Sequence, residues 1–117
     1  MKIIPIAVLA LTLMMDSASA DTRQEIVHLL NFVGTTSCKY ERNGTIHNGH
    51  DAREHINKKY QHYRARVKTA EDFIRYSATK SMITGKKYKI HCPGHETVYA
   101  NDWLLTELQA YRRRQDL

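Results

Sequence analysis

The chain has 117 residues and a net charge of +6, from 18 lysines and arginines against 12 acidic residues. Its 42% hydrophobic residues, with seven tyrosines and one tryptophan, provide enough material for burial to exclude wholesale disorder. The length allows a single domain with one modest core.

The N-terminus has the pattern of an export signal. Lys2 precedes an apolar run over residues 3–15, and Ala18-Ser19-Ala20 is a small-x-small cleavage motif. We therefore predict a secretory signal peptide over residues 1–20 and a single mature domain over residues 21–117. The alternative is a membrane anchor, but the run falls short of the roughly 20 residues that a spanning helix needs. A periplasmic or secreted location follows, without stable membrane insertion after cleavage.

Two cysteines in an exported chain predict one disulfide, between Cys38 and Cys92. Two free thiols are the alternative. On the chain-entropy model, closing the loop between the two cysteines stabilises the fold by about 4 kcal/mol, which is a large share of the total stability of a small domain.

The first elements are a helix and a hairpin. Thr22 and Glu25 have the spacing of a capping box, which predicts a helix over residues 22–33 that ends at Gly34. Residues 38–46 then read as strand, turn and strand. A two-residue turn at 43–44 would place Tyr40 opposite His47, whereas a three-residue loop would place it opposite Ile46. We favour the second register because it puts Ile46 on the apolar face.

Two helices follow the hairpin. The first is predicted to open at Asp51, after an exit loop over residues 48–50, with Lys58 and Lys59 largely outside its apolar stripe. Thr69 is predicted to cap the next helix. A short junction over residues 68–69 predicts a corner between the two helices.

The last strand is predicted to alternate inward Tyr88, Ile90 and Cys92 with outward polar residues. A final helix follows, capped by Asn101 or Asp102. The fold class is α+β, with a small antiparallel sheet of about three strands, formed by the hairpin and one further strand. About four helices cover mainly one face, and one disulfide joins the strands.

The order of these motifs resembles a family of small exported bacterial proteins of unknown function, the YfeK type, over residues 24–114. The resemblance is carried by short stretches along the whole domain: residues 30–33, Ser37-Cys38, Tyr40, residues 42–44, Ala52, His55, Lys59, residues 68–74, Ser81, Thr84-Gly85, Tyr88, Cys92 and Trp103-Leu104. It implies the compartment and the fold and leaves the chemistry open.

Seven histidines suggest a metal-binding protein as one alternative function. No HExxH motif is present, however, and His55 and His62 are seven positions apart rather than at the i, i+4 spacing of helix-borne ligands. We therefore assign no metal site and no cofactor. A small hydrolase is the other alternative, and it requires a pocket in which at least two titratable side chains converge. No catalytic residues are assigned.

Three residues of the resembled pattern are candidate ligand or interaction residues: Arg42, His55 and Lys59. His55 is expected to be semi-buried and to donate to a backbone carbonyl, and Arg42 to serve first in the turn. The basic surface is interpreted either as a solvated surface that keeps the protein soluble or as a surface for weak binding of an anionic envelope component or protein, and nothing in the sequence indicates nucleic-acid binding. We therefore predict an exported, non-enzymatic binding or interaction module.

Overall fold

The computed structural model describes residues 18–116. The predicted signal peptide thus lies mostly outside the described residues. Within these residues the fold has four helices and four short strands: α1 (Ala20–Thr35), β1 (Lys39–Arg42), β2 (Thr45–His47), α2 (Gly49–Tyr63), α3 (Ala70–Ser77), β3 (Lys89–His91), β4 (Val98–Tyr99) and α4 (Ala100–Gln115). A 3₁₀ turn over Arg64–Arg66 separates α2 from α3. The predicted α+β class is confirmed.

Helix α1 begins earlier than the sequence pattern predicts. Ser19 is its N-cap, accepting a hydrogen bond from the Thr22 amide at 3.1 Å. The predicted Thr22 capping box is therefore wrong, because Ser19 supplies the cap one turn upstream and the Thr22 hydroxyl donates to the Lys68 carbonyl. The helix also continues through Gly34. A side chain there would meet Arg53, so this glycine allows α1 to lie close to α2.

The hairpin takes the two-residue register, so the preferred three-residue loop is wrong. Tyr40 pairs with His47, and Ile46 pairs with Glu41 on the outer face, where it is 53% exposed. Asn43 and Gly44 both have positive φ, the geometry of a type I′ turn whose twist matches the strands. This turn preference outweighs the burial of one isoleucine.

Helices α2 and α3 differ in how well their starts were predicted. Asn48, not Asp51, is the N-cap of α2, and its side chain accepts from the Asp51 amide at 2.8 Å. The predicted exit loop is therefore the first turn of the helix. At α3 the predicted cap is confirmed, since Thr69 accepts from the Asp72 amide at 3.1 Å.

The sheet is antiparallel, with strand order β2-β1-β3-β4. Tyr40 and Ile90 pair across β1 and β3 and are both buried, so this face packs on the helices. Cys38, just before β1, is bonded to Cys92, just after β3. This confirms the predicted disulfide and the placement of the hairpin beside the later strand.

The sequence pattern did not predict one strand, and it placed the cap of the last helix wrongly. Val98–Tyr99 forms a two-residue strand against β3, too short to show an alternating pattern. Helix α4 then starts directly at Ala100 after Tyr99, without a side-chain cap, so the predicted cap at Asn101 or Asp102 is wrong.

The core lies between the helices and the inner face of the sheet. Its largest fully buried side chains come from every helix and from the strand region: Ile26, Leu29, Val33, Ile56, Phe73, Ile74, Tyr88, Ile90, Leu104 and Leu108. Within residues 18–116, no helix has both the length and the apolarity needed to span a bilayer.

Candidate functional site

A cavity of ≈ 340 Å³ opens between the end of the hairpin, the second half of α2 and the segment over residues 81–83. We call it the Arg42 cleft. Its basic wall consists of Arg42, His55, Lys58, Lys59 and His62, and its apolar wall includes Tyr63, Met82, Ile83 and Tyr88. Three separate segments of the chain therefore have to fold before this cavity exists.

Arg42 is the last residue of β1, two positions after the buried Tyr40, which turns its side chain toward the helices. It is half-buried and is not part of the two-residue turn, contrary to the expected role in the turn. Among the described residues, no hydrogen bond or ion pair engages its guanidinium. Its charge is nevertheless felt by His55, Lys59 and Tyr88, whose pKa values it lowers.

Lys59 is half-buried, although its place beside the apolar stripe predicted an outward side chain. Its Nζ donates to the Lys80 carbonyl at 2.7 Å and to the Tyr88 hydroxyl at 3.0 Å. Burial, and then the charge of Arg42, lower the pKa of Lys59 from 10.5 to about 8. The ammonium is thus held in place while remaining mostly protonated at neutral pH.

His55 lies one turn before Lys59 on α2. Its Nε2 is 3.4 Å from the Tyr88 hydroxyl, so its partner is a side chain rather than the predicted backbone carbonyl. Burial, followed by the charges of Arg42 and Lys59, lowers the pKa of His55 from 6.5 to about 4. The imidazole is therefore neutral at pH 7 and can accept a hydrogen bond from the Tyr88 hydroxyl.

Tyr88 joins these groups at the floor of the cleft. Its ring is buried and lies 5.5 Å from that of Tyr40, and Lys59 Nζ lies 4.9 Å from its centroid. Burial raises the pKa of Tyr88, so the hydroxyl keeps its proton at neutral pH. Because it accepts from Lys59 and faces His55, it fixes both α2 side chains.

Among the described residues, the lining of the cleft contains five basic residues and no aspartate or glutamate. Burial first, and then repulsion between nearby basic groups, depresses the pKa values of His55 and Lys59. The arrangement can accept an anion without displacing an existing carboxylate. The tyrosine, methionine and isoleucine side chains alongside can contact an apolar group on the same molecule.

The histidines do not assemble elsewhere into a metal centre. Within residues 18–116, no group of three or more His, Cys, Asp or Glu side chains is placed to hold a metal ion. His91 lies 2.6 Å from Glu41 and 2.8 Å from Thr97, and His28 lies 2.6 Å from Glu107. These histidines therefore already have protein partners.

The pocket required for a hydrolase does have converging titratable groups, namely His55, Lys59 and Tyr88. It also contains Ser81, but the Ser81 Oγ accepts hydrogen bonds from the amides of Ile83 and Thr84 at 3.2 Å each. The Ser81 hydroxyl is therefore already engaged by amides of its own loop. Nothing in the lining matches a nucleophile activated by an adjacent base.

All three candidate residues, Arg42, His55 and Lys59, line this one cavity. Whether they bind a ligand stays a prediction. The sequence did not identify Tyr88, Met82 or Ile83 as their neighbours. The available signal for Tyr88 was its inward position in an alternating strand. The signal for Met82 and Ile83 was that they form an apolar pair flanked by lysines.

Comparison with known proteins gives a family and a relative. Residues 20–112 match the model of a family described as a family of unknown function, DUF5329. The chain is similar to the uncharacterized protein YfeK of Salmonella typhimurium, with 38% identity over 92 residues that cover 75% of this chain and 77% of that protein. No solved structure matches the chain.

Proposed function

Because the chain belongs to the DUF5329 family, whose function is unknown, we propose a function from the geometry of the site: the Arg42 cleft binds an anion that carries an apolar group. The resemblance to the YfeK type found in the sequence is confirmed by the same match. The observation that carries the proposal is the half-buried Arg42, which lines a cavity with Lys59 and no carboxylate.

The chemistry of Arg42 selects the charged end of the ligand. A guanidinium presents paired N–H donors in a rigid fork that fits carboxylate and phosphate oxygens. Lys59 has two of its three donors engaged, which leaves one for the same oxygens. A phosphate or carboxylate is therefore the preferred group.

The apolar wall selects the other end. The Tyr63 ring is stacked on that of Tyr76 at 5.5 Å and meets the His62 ring edge-on at 4.7 Å, so it is a fixed surface. Met82 faces the same cavity with an unbranched side chain that adapts to different shapes. A flat or aliphatic group next to the anion would contact both Tyr63 and Met82.

The proposed role is binding rather than catalysis, and the proposed place is the cell envelope. Neutral His55 has no carboxylate in the cleft lining to orient it, and Ser81 is held by its loop. The signal peptide predicted over residues 1–20 and the Cys38–Cys92 disulfide support export into an oxidising compartment. In this proposal the protein is an exported module that captures an anionic component.

Titration calorimetry with phenyl phosphate tests the proposal, since this probe joins a phosphate to a flat apolar ring. We expect saturable one-site binding by the wild-type protein. Arg42→Gln should weaken it roughly tenfold or more, because hydrogen bonds to charged groups contribute about 1.5–3 kcal/mol.

The matched control is Arg113→Gln, which removes the same charge from an exposed position of α4. It should leave the affinity within about twofold of wild type. Equal losses in the two variants, or no binding by the wild type, would contradict the proposal. Release of phenol during the titration would instead favour the hydrolase alternative.

A further inference from the structure

The segment over residues 80–87, here called the 80–87 loop, is an ordered projection at the mouth of the cleft. Lys80 and Lys87 form an antiparallel bridge at its base. The Ser81 amide donates to the Lys86 carbonyl at 3.0 Å, and the Gly85 amide donates to the Ser81 carbonyl at 2.9 Å. With the Ser81 hydroxyl accepting two further amides, the loop is held by its own hydrogen bonds.

This closed loop exposes two large apolar side chains. Ile83 is 95% exposed and Met82 is 55% exposed. An isolated exposed apolar residue is common, but here two adjacent ones stand at the tip of a fixed loop. The hydrogen bonds of the loop thus maintain a conformation that keeps apolar surface in water.

Lysines surround the tip. Lys80, Lys86 and Lys87 are all exposed, and Lys58 lies across the cleft on α2. The sequence contains no acidic residue between Asp72 and Glu96. Glu41 lines a surface depression with Lys86 and Lys87, but its Oε1 already lies 2.6 Å from His91 Nε2. An apolar tip ringed by cations is complementary to a surface with anions outside and hydrocarbon beneath.

An aromatic residue lies beside the lysines. Lys87 Nζ is 4.8 Å from the centroid of Tyr99, which is 43% exposed on β4. Tyrosine suits the headgroup level of a bilayer because its ring is apolar and its hydroxyl is polar. The same region therefore has groups that can lie at the level of the lipid phosphates and groups that can lie at the boundary with the acyl chains.

We propose that the 80–87 loop docks the protein on an anionic phospholipid bilayer. Met82 and Ile83 enter the boundary between headgroups and acyl chains, and Lys80, Lys86 and Lys87 contact lipid phosphates. Because Met82 and Ile83 also line the Arg42 cleft, docking places the mouth of the cleft at the membrane surface. The inference goes beyond the proposed function, since it requires no ligand in the cleft.

Cosedimentation of the purified, disulfide-bonded protein with lipid vesicles tests this inference. We expect retention on vesicles that contain phosphatidylglycerol and little retention on pure phosphatidylcholine. Ile83→Asp should reduce the vesicle affinity roughly tenfold or more, since it removes the inserted group and adds an anion. The substitution lies on an exposed side chain, so the melting temperature should be preserved.

Val27→Asp is the matched control, because Val27 is 56% exposed on α1, outside the loop. It should retain wild-type vesicle affinity. No retention by the wild type, equal retention on both vesicle types, or equal losses in the two variants would overturn the inference. Calorimetry with phenyl phosphate, without vesicles, tests ligand binding in the Arg42 cleft separately. A failure of one proposal can therefore be distinguished from a failure of the other.

Discussion

Two arginines at different places in the molecule are used in opposite ways. Arg112 of α4 donates to both carboxylate oxygens of Glu25 at 2.8 and 2.9 Å, and to those of Glu71 at 2.7 and 3.1 Å. It thereby joins α4 to α1 and α3. Arg42 is also partly buried, but its surroundings are other cations and tyrosines.

The titration behaviour of the two regions shows the same contrast. Hydrogen bonding to Arg112 lowers the pKa of Glu71, and the two carboxylates raise the pKa of Arg112. At the cleft, burial and the charge of Arg42 lower the pKa of both His55 and Lys59. Charge at the Arg112 cluster is thus balanced within the chain, whereas no carboxylate among the described residues lines the cleft. The two arginines therefore differ in their neighbours rather than in their burial.

Removal of the disulfide should have the largest effect on stability. Cys38→Ser is expected to lower the free energy of unfolding by about 4 kcal/mol, because 54 positions separate the bonded cysteines. Urea denaturation of the variant and the wild type measures this. A loss below about 1 kcal/mol would show that hydrogen bonds between β1 and β3 suffice.

Removal of each arginine sharpens the comparison directly. Arg112→Gln should destabilise the protein by about 1–2 kcal/mol, since it leaves two neighbouring carboxylates without their donor at a partly exposed site. Arg42→Gln should change stability by less than about 0.5 kcal/mol, since it breaks no ion pair among the described residues and relieves repulsion. Urea midpoints give both values. Equal destabilisation by the two substitutions would remove the distinction between the regions.

The dependence of stability on pH gives a further comparison of the two regions. His55 has a pKa of 6.5 when unfolded and about 4 when folded, so between these values the unfolded chain binds the extra proton. Stability should therefore fall as the pH decreases from 6.5 to 4. Glu71, with its lowered pKa, adds stability that is present above pH 4.5 and is lost as the pH falls through its folded value.

The two substitutions should act on different parts of this pH profile. Arg42→Gln should reduce the fall between pH 6.5 and 4, because Arg42 helps to lower the pKa of His55. Arg112→Gln should reduce only the fall below pH 4.5. Urea midpoints measured across pH 3 to 8 would report both changes. A profile that is altered in the same window by both variants would contradict the assignment.

The sequence predicted those features that depend on local pattern. Alternation in the last strand correctly placed Ile90 inward, and the presence of two cysteines correctly indicated the disulfide. Thr69 was recognised as a cap because acidic residues follow it in the first turn.

The hairpin prediction failed because a local and a distant preference compete at that position. At the hairpin, the type I′ turn at Asn43 and Gly44 prevailed over burial of Ile46, and it left His47 Nε2 buried without a hydrogen-bond partner among the described residues. The hairpin prediction gave burial too much weight.

The cleft could be predicted only in part. Arg42, His55 and Lys59 were named from the resembled pattern, but their meeting depends on how α2 lies across the sheet. A long lysine stem can also reach inward from the edge of an apolar stripe, as Lys59 does. Periodicity specifies which face a residue occupies, not how far its side chain reaches.

We infer that Arg42, and not Arg112, is available to an external anion. Side-chain Nε–Hε signals of both arginines can be followed in one nitrogen-15 spectrum during titration with phenyl phosphate. We predict that the Arg42 signal shifts until binding is saturated. The Arg112 signal should stay in place, because Arg112 Nε already donates to Glu25. Equal shifts of both signals, or a shift of Arg112 alone, would contradict the account.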